Sequence, residues 1–528
     1  MGLIAPPFTS SPRAKSRLMY RNFLSVGGLT SLSRLTGFIR DLVLSALIGA
    51  GPIADAFFVA LKLPNQFRSI FGEGAFNAAY IPTYTKVLAI HGMQGANRFS
   101  SQIFTLLLLS QLALVGFALI FTPQLVELTA PGFNSDPERF HLAITMTRIT
   151  FPYLAFVTLA TLHTGTLNAH GRFAVGAFAP VLLNVFIVGF LALSFRFPNA
   201  GVAASWGVCV SGAAQLALLA ISSRRHGLLE RLARPTLDSD IRFFFKALGP
   251  AILGSAGQQI LILMDTILAS LLPIGAVSSL YYAERLYQLP QGIISLAAAT
   301  VLLPEMSRRL AKTDSAGASL AQNKTVSLTL LLTGPFFVLF LELPESVIQG
   351  AFVRGAFDGA AALAAAKVLA AYGLALFPIV LIRLFAASFQ ARGDTKTPAI
   401  AFLAGLILNL TLKLAIYQSQ GAAGLALATA AGAWINLLLL IYIGQRRGWT
   451  RIDSTLIENV AIMCLSCGAL ALALPTLAIF VDAQTASLHW LHKEVAICLA
   501  VTGGFALYAL VALATARAFG RSPKDQLF

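Results

Sequence analysis

The sequence predicts an all-α polytopic membrane protein, and three observations carry that prediction. Of its 528 residues, 57% are hydrophobic and only 11% charged, with a mean hydropathy of +0.76; a soluble domain carries about 25% charged residues. The apolar residues gather into about fourteen segments of spanning length, which takes about 20 residues. The basic residues behind the net charge of +16 crowd into alternate connections between those segments, the asymmetry that orients multi-pass proteins.

In order, the first span (22–49) is apolar except for Arg34, Arg40 and Asp41. The second (52–86) contains Pro64, whose missing N–H and ring clash predict a kink or break. Apolar runs at 99–128, 138–167, 172–196 and 200–222 complete a first set of six. A second set reads 241–271, 275–307, 324–347, 361–390, 397–417 and 421–444, with Pro290 inside the eighth span. Two more, 456–481 and 490–516, follow.

With both ends cytoplasmic, the inner segments hold Arg98, Arg172, Arg224, Arg225, Arg308, Arg309, Arg392, Arg446, Arg447 and Arg517 among others. The outer ones hold only Arg139, Arg196, Arg354 and Lys493, beside acids such as Asp136 and Glu138. The positive charge therefore reports topology and contact with anionic membrane lipid, and its placement argues against nucleic acid as a partner. Residues 1–21 lack an apolar core with a cleavage site and read as a cytoplasmic tail; 517–528 read as a second. Cys209, Cys464, Cys467 and Cys498 all fall in predicted spans, which argues against a disulfide framework. No second ligand pair follows Cys464-x-x-Cys467, so no metal site is predicted. No enzymatic motif and no cofactor site emerges either.

An internal repeat organises the chain. Pro82 and Pro304 follow similar proline-containing segments, and the short loops Asn168-Ala169-His170-Gly171 and Gln390-Ala391-Arg392-Gly393 match at the same shift of 222 positions. An even number of spans per copy makes the copies parallel, as in two-lobed transporters. The predicted organisation is an N-lobe at 22–224, an amphipathic cytoplasmic linker at 225–240, a C-lobe at 241–445, and two helices at 456–516 outside the repeat.

The charges inside spans are the candidate chemistry, since each Arg or Asp at a membrane helix centre costs about 2.5–3.5 kcal/mol on insertion scales. Arg34 and Asp41, seven apart, share a helix face with Gly37 between them, and Arg40 lies about 100° round from Asp41. The second span adds Asp55, Lys62, Arg68 and Glu73; the eighth adds Arg285 beside Glu284. Converging guanidiniums offer bidentate donors to phosphate oxygens. The competing reading is interhelical ion pairs, such as Arg34 with Asp55 or Arg40 with Asp41. Positive residues on several helices favour the anion site. Asp265, Asn409 and Lys413 form a second constellation. Asp265 and Asn409 suit a sodium ion or a proton, but Lys413 fills the cation position if it pairs with Asp265, the preferred arrangement.

Ser33-Arg34-Leu35-Thr36-Gly37-Phe38-Ile39-Arg40-Asp41, Ala54-Asp55-Ala56-Phe57-Phe58-Val59-Ala60, Lys62-Leu63-Pro64-Asn65, Glu73-Gly74-Ala75-Phe76 and Tyr281-Tyr282-Ala283-Glu284-Arg285 closely resemble the MurJ (MviN) lipid II flippases of bacterial inner membranes. The resemblance implies the multidrug/oligosaccharidyl-lipid/polysaccharide exporter superfamily. It implies two six-helix lobes around a central cavity and two further helices forming a groove for a polyprenyl tail. It implies that Arg34, Arg40, Arg68 and Arg285 engage a diphosphate-sugar head group and that Asp41 orients Arg40. Asp55 would serve the transport cycle near the outer gate, with Lys62 and Glu73 supporting. The implied activity is translocation of lipid II, the lipid-linked peptidoglycan precursor, to the outer leaflet by alternating access, alongside the cell-wall synthesis machinery. With no ATP-binding motif, the expected drive is membrane potential, an ion gradient or removal of product outside. The alternative within the superfamily is a multidrug exporter, disfavoured because those take cationic substrates into acidic cavities.

Overall fold

The computed structural model describes residues 12–69, 75–485 and 492–520, with side chains from residue 27 onward except 253–256, 258, 296, 297 and 299. The described elements are helices throughout. Two compact units divide the chain: the first takes it up to Ile48 and again over Pro52–Ile262, the second takes Gly49–Gly51 and everything from Leu263.

The first unit begins with α1 (Pro12–Ile48), α2 (Pro52–Arg68), α3 (Ala75–Ile120) and the short α4 (Thr122–Thr129). It continues with α5 (Pro137–Thr150), α6 (Tyr153–Ala169), α7 (Ala174–Ala192), α8 (Ala200–Arg225) and the start of α9 (Ser239–Ser270). No break falls at Pro64: α2 runs through the proline to Arg68, and 70–74 lie outside the described residues. α3 joins the end of the predicted second span to the third, bending at Gly92 (φ 64°, ψ −168°), a conformation glycine reaches without a Cβ clash. α2 buries every residue from Ala54 to Leu61 and packs on α5, α6 and α8, while α7 packs on α1 and α8. Phe76, Tyr80, Tyr84 and Phe99 of α3 form an aromatic cluster with Phe244 of α9, stacked at 5.2 Å between Phe76 and Tyr80 and edge-on at 5.7 Å between Phe76 and Phe244.

Between α8 and α9 the chain is extended over 228–238 and lies along α3. The Arg231 amide donates to Ser101 Oγ (3.1 Å) and the Ala233 amide to Thr105 Oγ1 (3.0 Å), while Gln102 Nε2 donates to Thr236 Oγ1 (2.6 Å). Leu228 packs among Ala160, Leu167, Ala179 and Leu219. This segment is a strap held to the first unit.

The second unit contains the end of α9, α10 (Ala276–Ala311), α11 (Ser315–Glu342), α12 (Pro344–Phe352), α13 (Gly359–Gly373) and α14 (Leu376–Gln390). It ends with α15 (Lys396–Arg446), α16 (Ser454–Thr485) and α17 (His492–Ala518). α10 runs through both Pro290 and Pro304. α15 joins the predicted eleventh and twelfth spans, bending at Gly421 (φ 57°, ψ −145°). Leu302, Met306, Leu384, Phe385, Phe389, Leu437 and Leu440 build the main core, and the α16–α17 pair packs through α16 on α11. The loop before α15 is closed by Asp394. Its carboxylate accepts from the Thr397 hydroxyl (2.7 Å) and amide (2.9 Å) and pairs with Arg447. Those contacts, the Thr397 hydroxyl foremost, hold the acid at about 2.

Among the described residues, ten helical segments are long and apolar enough to cross a membrane, by length and composition. The chain is an all-α multi-pass membrane protein. α15 alone covers two of the predicted spans. α1 and α2 fall outside the ten: the second half of α1 carries Arg34, Arg40 and Asp41, and α2 has 17 residues.

The repeat returns in the backbone. After α6, His170, Gly171 and Arg172 amides donate to Leu167, Asn168 and Leu167 carbonyls; 222 positions later Arg392, Gly393 and Asp394 donate to Phe389, Gln390 and Phe389. Asp136 caps α5 by accepting from the Arg139 amide, and Asp358, again 222 positions on, caps α13 by accepting from the Ala361 amide.

Candidate functional site

The charged residues of α1 take two different environments. Arg34 is exposed, whereas Arg40 and Asp41 are 8% and 3% exposed. Arg40 donates from Nε (2.9 Å) and Nη2 (2.7 Å) to Asp41 Oδ1, and from Nη1 to Asn184 Oδ1 of α7 (3.0 Å). Neighbouring positions one residue apart do not face each other on a helix, but a long arginine side chain folds back to reach the adjacent carboxylate. The charge of Arg40 is thus countered within its own helix.

Asp55, in the first turn of α2, is fully buried. Its partner is not Arg34 but Arg139, whose Nη1 approaches Asp55 Oδ2 to 3.4 Å. Arg139, expected as an outer-loop charge, lies in the first turn of α5 and is 4% exposed. Its guanidinium sits 4.1 Å from the Phe133 ring, within cation–π range. Lys62 and Arg68 are half-buried on α2, and Ser69, just beyond Arg68, accepts from Gln259 Nε2 of α9 (2.9 Å). Glu73 lies outside the described residues.

In the second unit Arg285 is half-buried on α10, with its guanidinium 4.6 Å from the Tyr281 ring. Arg285 Nη1 donates to Gln288 Oε1 (3.4 Å), and Gln288 Nε2 donates to Glu284 Oε1 (2.7 Å). A planar cation stacked on an aromatic face is held in orientation at little cost to its donors. Lys413 Nζ of α15 lies 2.6 Å from Asp265 Oδ1 of α9, so the ammonium and the acid form an ion pair. Asn409, one turn before Lys413, is 4% exposed.

Three features escaped the sequence reading. Asn184 and Arg139 are partners to candidate residues 144 and 84 positions away. The third is a network in the first unit: Glu230 of the strap is buried, with Oε2 2.6 Å from His163 Nδ1, and Oε1 accepting from Thr166 Oγ1 (2.8 Å). Tyr80 OH lies 2.8 Å from that same hydroxyl. Two of them carry a faint signal: Asn184 is the lone strongly polar residue of α7, and Glu230 the lone acid amid Arg224, Arg225, Arg231 and Arg234. Among the described residues no group of three or more His, Cys, Asp or Glu is arranged to hold a metal ion. What the arginines offer chemically is binding of an oxyanion.

Comparison with known proteins bears on the meaning of these residues. A family model described as lipid II flippase MurJ matches residues 44–500. The chain is 37% identical over 462 residues to a probable lipid II flippase MurJ of Rhizobium meliloti (strain 1021), covering 86% of each. It is 32% identical over 449 residues to one of Rickettsia prowazekii (strain Madrid E), covering 85% of this chain and 88% of that one. Among solved structures, a lipid II flippase MurJ in an inward closed conformation superposes with a TM-score of 0.79 at 24% identity, over 94% of this chain and 99% of that one. A multidrug resistance MATE family transporter in an inward-facing conformation gives 0.67 at 12% identity, over 80% and 97%. These two likenesses concern the fold.

Proposed function

The chain belongs to the lipid II flippase MurJ family, and we propose that it carries lipid II from the inner to the outer leaflet of a bacterial inner membrane, with both termini cytoplasmic. The observation that carries this reading is the placement of Arg34, Arg40 and Arg68 on α1 and α2. Charge of that kind in a membrane protein marks a substrate path. The problem to be solved is passage of a hydrated diphospho-sugar through about 30 Å of hydrocarbon. Guanidiniums replace the water: Arg34, Arg40, Arg68 and Arg285 engage the diphosphate and sugar. Asp41 orients Arg40, Asp55 serves the cycle with Lys62 and Glu73 in support, and Lys413, near Asn409 in the sequence, pairs with Asp265. α16 and α17 hold the polyprenyl tail while the protein alternates access between the two sides. Transient contact with the cell-wall synthesis machinery hands the product on.

Depletion of the protein in its host tests the proposal. Lipid-linked precursor should accumulate on the inner leaflet, and Arg34→Ala or Arg285→Ala, folded and at normal abundance, should fail to restore growth. Unchanged accessibility of the precursor from outside after depletion would sink the assignment. If depletion instead sensitises cells to cationic drugs, the exporter reading prevails, for which the fold shared with the MATE transporter is the supporting observation.

A further inference from the structure

We propose that Asn184 is a positioning residue for head-group binding, acting through Arg40; the inference rests on Arg40 being a head-group ligand. Asn184 is 5% exposed, in a helix that is otherwise almost wholly apolar. The chemistry of its partners settles which way its amide points. A guanidinium only donates and a main-chain carbonyl only accepts. The amide oxygen therefore takes the bond from Arg40 Nη1 (3.0 Å), and the amide nitrogen donates to the Ser33 carbonyl (3.1 Å) and to Thr36 Oγ1 (3.0 Å). Thr36 in turn donates to the Leu32 carbonyl (2.9 Å), so its hydroxyl is an acceptor towards Asn184. One side chain of α7 thus grips α1 at Ser33, Thr36 and Arg40.

The grip sets the guanidinium as well as the helix. Asp41 Oδ1 holds Nε and Nη2, and Asn184 holds Nη1 from the other side. With both ends engaged the guanidinium plane is fixed before any ligand arrives. Less side-chain freedom is then lost when an oxyanion binds. The residue type at 184 matters for charge. A carboxylate there would accept the same bond but add a second acid beside the buried guanidinium, lowering the positive charge offered to a diphosphate. The neutral amide orients Arg40 without adding charge and leaves the adjacent Asp41 as its paired acid.

The test is a double-mutant cycle on the purified full-length protein. It measures affinity for a polyprenyl-diphosphate-linked disaccharide-peptide, with thermal stability in parallel. Asn184→Ala should weaken binding by about two- to tenfold, the cost of immobilising one freed side chain on binding, and should add nothing in an Arg40→Gln background. Thr36→Val, which removes a bond of the same amide without touching Arg40, should lower stability at unchanged affinity. Where Asn184→Ala does not fold, the isosteric Asn184→Asp gives the readout, again as weaker binding. Equal losses in both backgrounds, or a Thr36→Val loss as large as that of Asn184→Ala, overturn the inference in favour of helix docking. If Arg40→Gln itself binds normally, the assignment of Arg40 as a ligand fails instead.

Discussion

At the scale of single residues, the charges inside the spans divide into those that are countered and those that face outward. Asp55 and Arg139 are both sequestered from water, at 0% and 4% exposure, so removing Arg139 takes a cation from a fully buried acid, and removing Asp55 leaves the guanidinium with the more distant Asp136 carboxylate at 3.9 Å. Breaking such a pair costs about 3–5 kcal/mol. Asp55→Asn and Arg139→Gln should each destabilise the protein by that order in denaturant unfolding, while the double variant loses clearly less than the sum of the two. Additive losses would show that the pair is not an interacting unit. The anomaly at Asp55 was legible in the sequence, because an acid in an apolar run is expensive wherever it sits. Its partner was not. Arg139 looked like an outer-loop charge beside Asp136 and Glu138, and only the packing of α2 on α5 brings it 3.4 Å from Asp55. Asn184 escaped for the same reason, being 144 positions from Arg40. By contrast, Arg40 with Asp41 and Lys413 with Asp265 were legible as pairs. The first partner lies one residue away, and the second was the remaining cation in an acid-and-amide setting.

At the scale of elements, the segment after α8 shows how one residue changes the meaning of a run. With Arg225, Arg231 and Arg234, 225–240 reads in sequence as an amphipathic cytoplasmic linker. Glu230 turns into the unit instead, to His163 and Thr166, and pins an extended strap along α3. The first compact unit accordingly runs beyond the strap to Ile262, within α9. Glu230→Ala removes the buried end of this fastening and leaves His163 facing an empty site. Hydrogen exchange at the Arg231 and Ala233 amides, which donate to Ser101 and Thr105, should then quicken by about ten- to a hundredfold, the range for a lost bond to a charged group. Exchange at wild-type rates would mean that the α3 hydroxyls hold the strap unaided. The bends of α3 and α15 belong to this scale too. Two spans joined by a single left-handed glycine, Gly92 or Gly421, read in sequence as separate helices, because only the backbone shows that helical hydrogen bonding resumes at once.

At the scale of the whole molecule, the two halves share a plan but not a chemistry. Loop and cap hydrogen bonds recur at a spacing of 222 residues, yet the positions matching Arg34, Arg40 and Asp41 in the second copy, Ala256, Ile262 and Leu263, are uncharged. The repeat was legible because turns need particular residues at fixed offsets; the asymmetry was legible because charge is rare in this chain. A transporter that binds its cargo mainly through cations must also release it, and the cargo's own charge supplies a drive. With the cell interior negative, each uncompensated negative charge moved outward gains about 2.3 kcal/mol per 100 mV, a bias of about fiftyfold. In proteoliposomes with a potassium-diffusion potential, lipid II should therefore redistribute towards the positive side. The ratio should rise steeply with voltage and stay flat when only pH is varied. A distribution indifferent to voltage would require a cation to travel with the head group. The pairing of Lys413 with Asp265 at 2.6 Å argues against one travelling through that site, since the acid is already paired with a tethered ammonium.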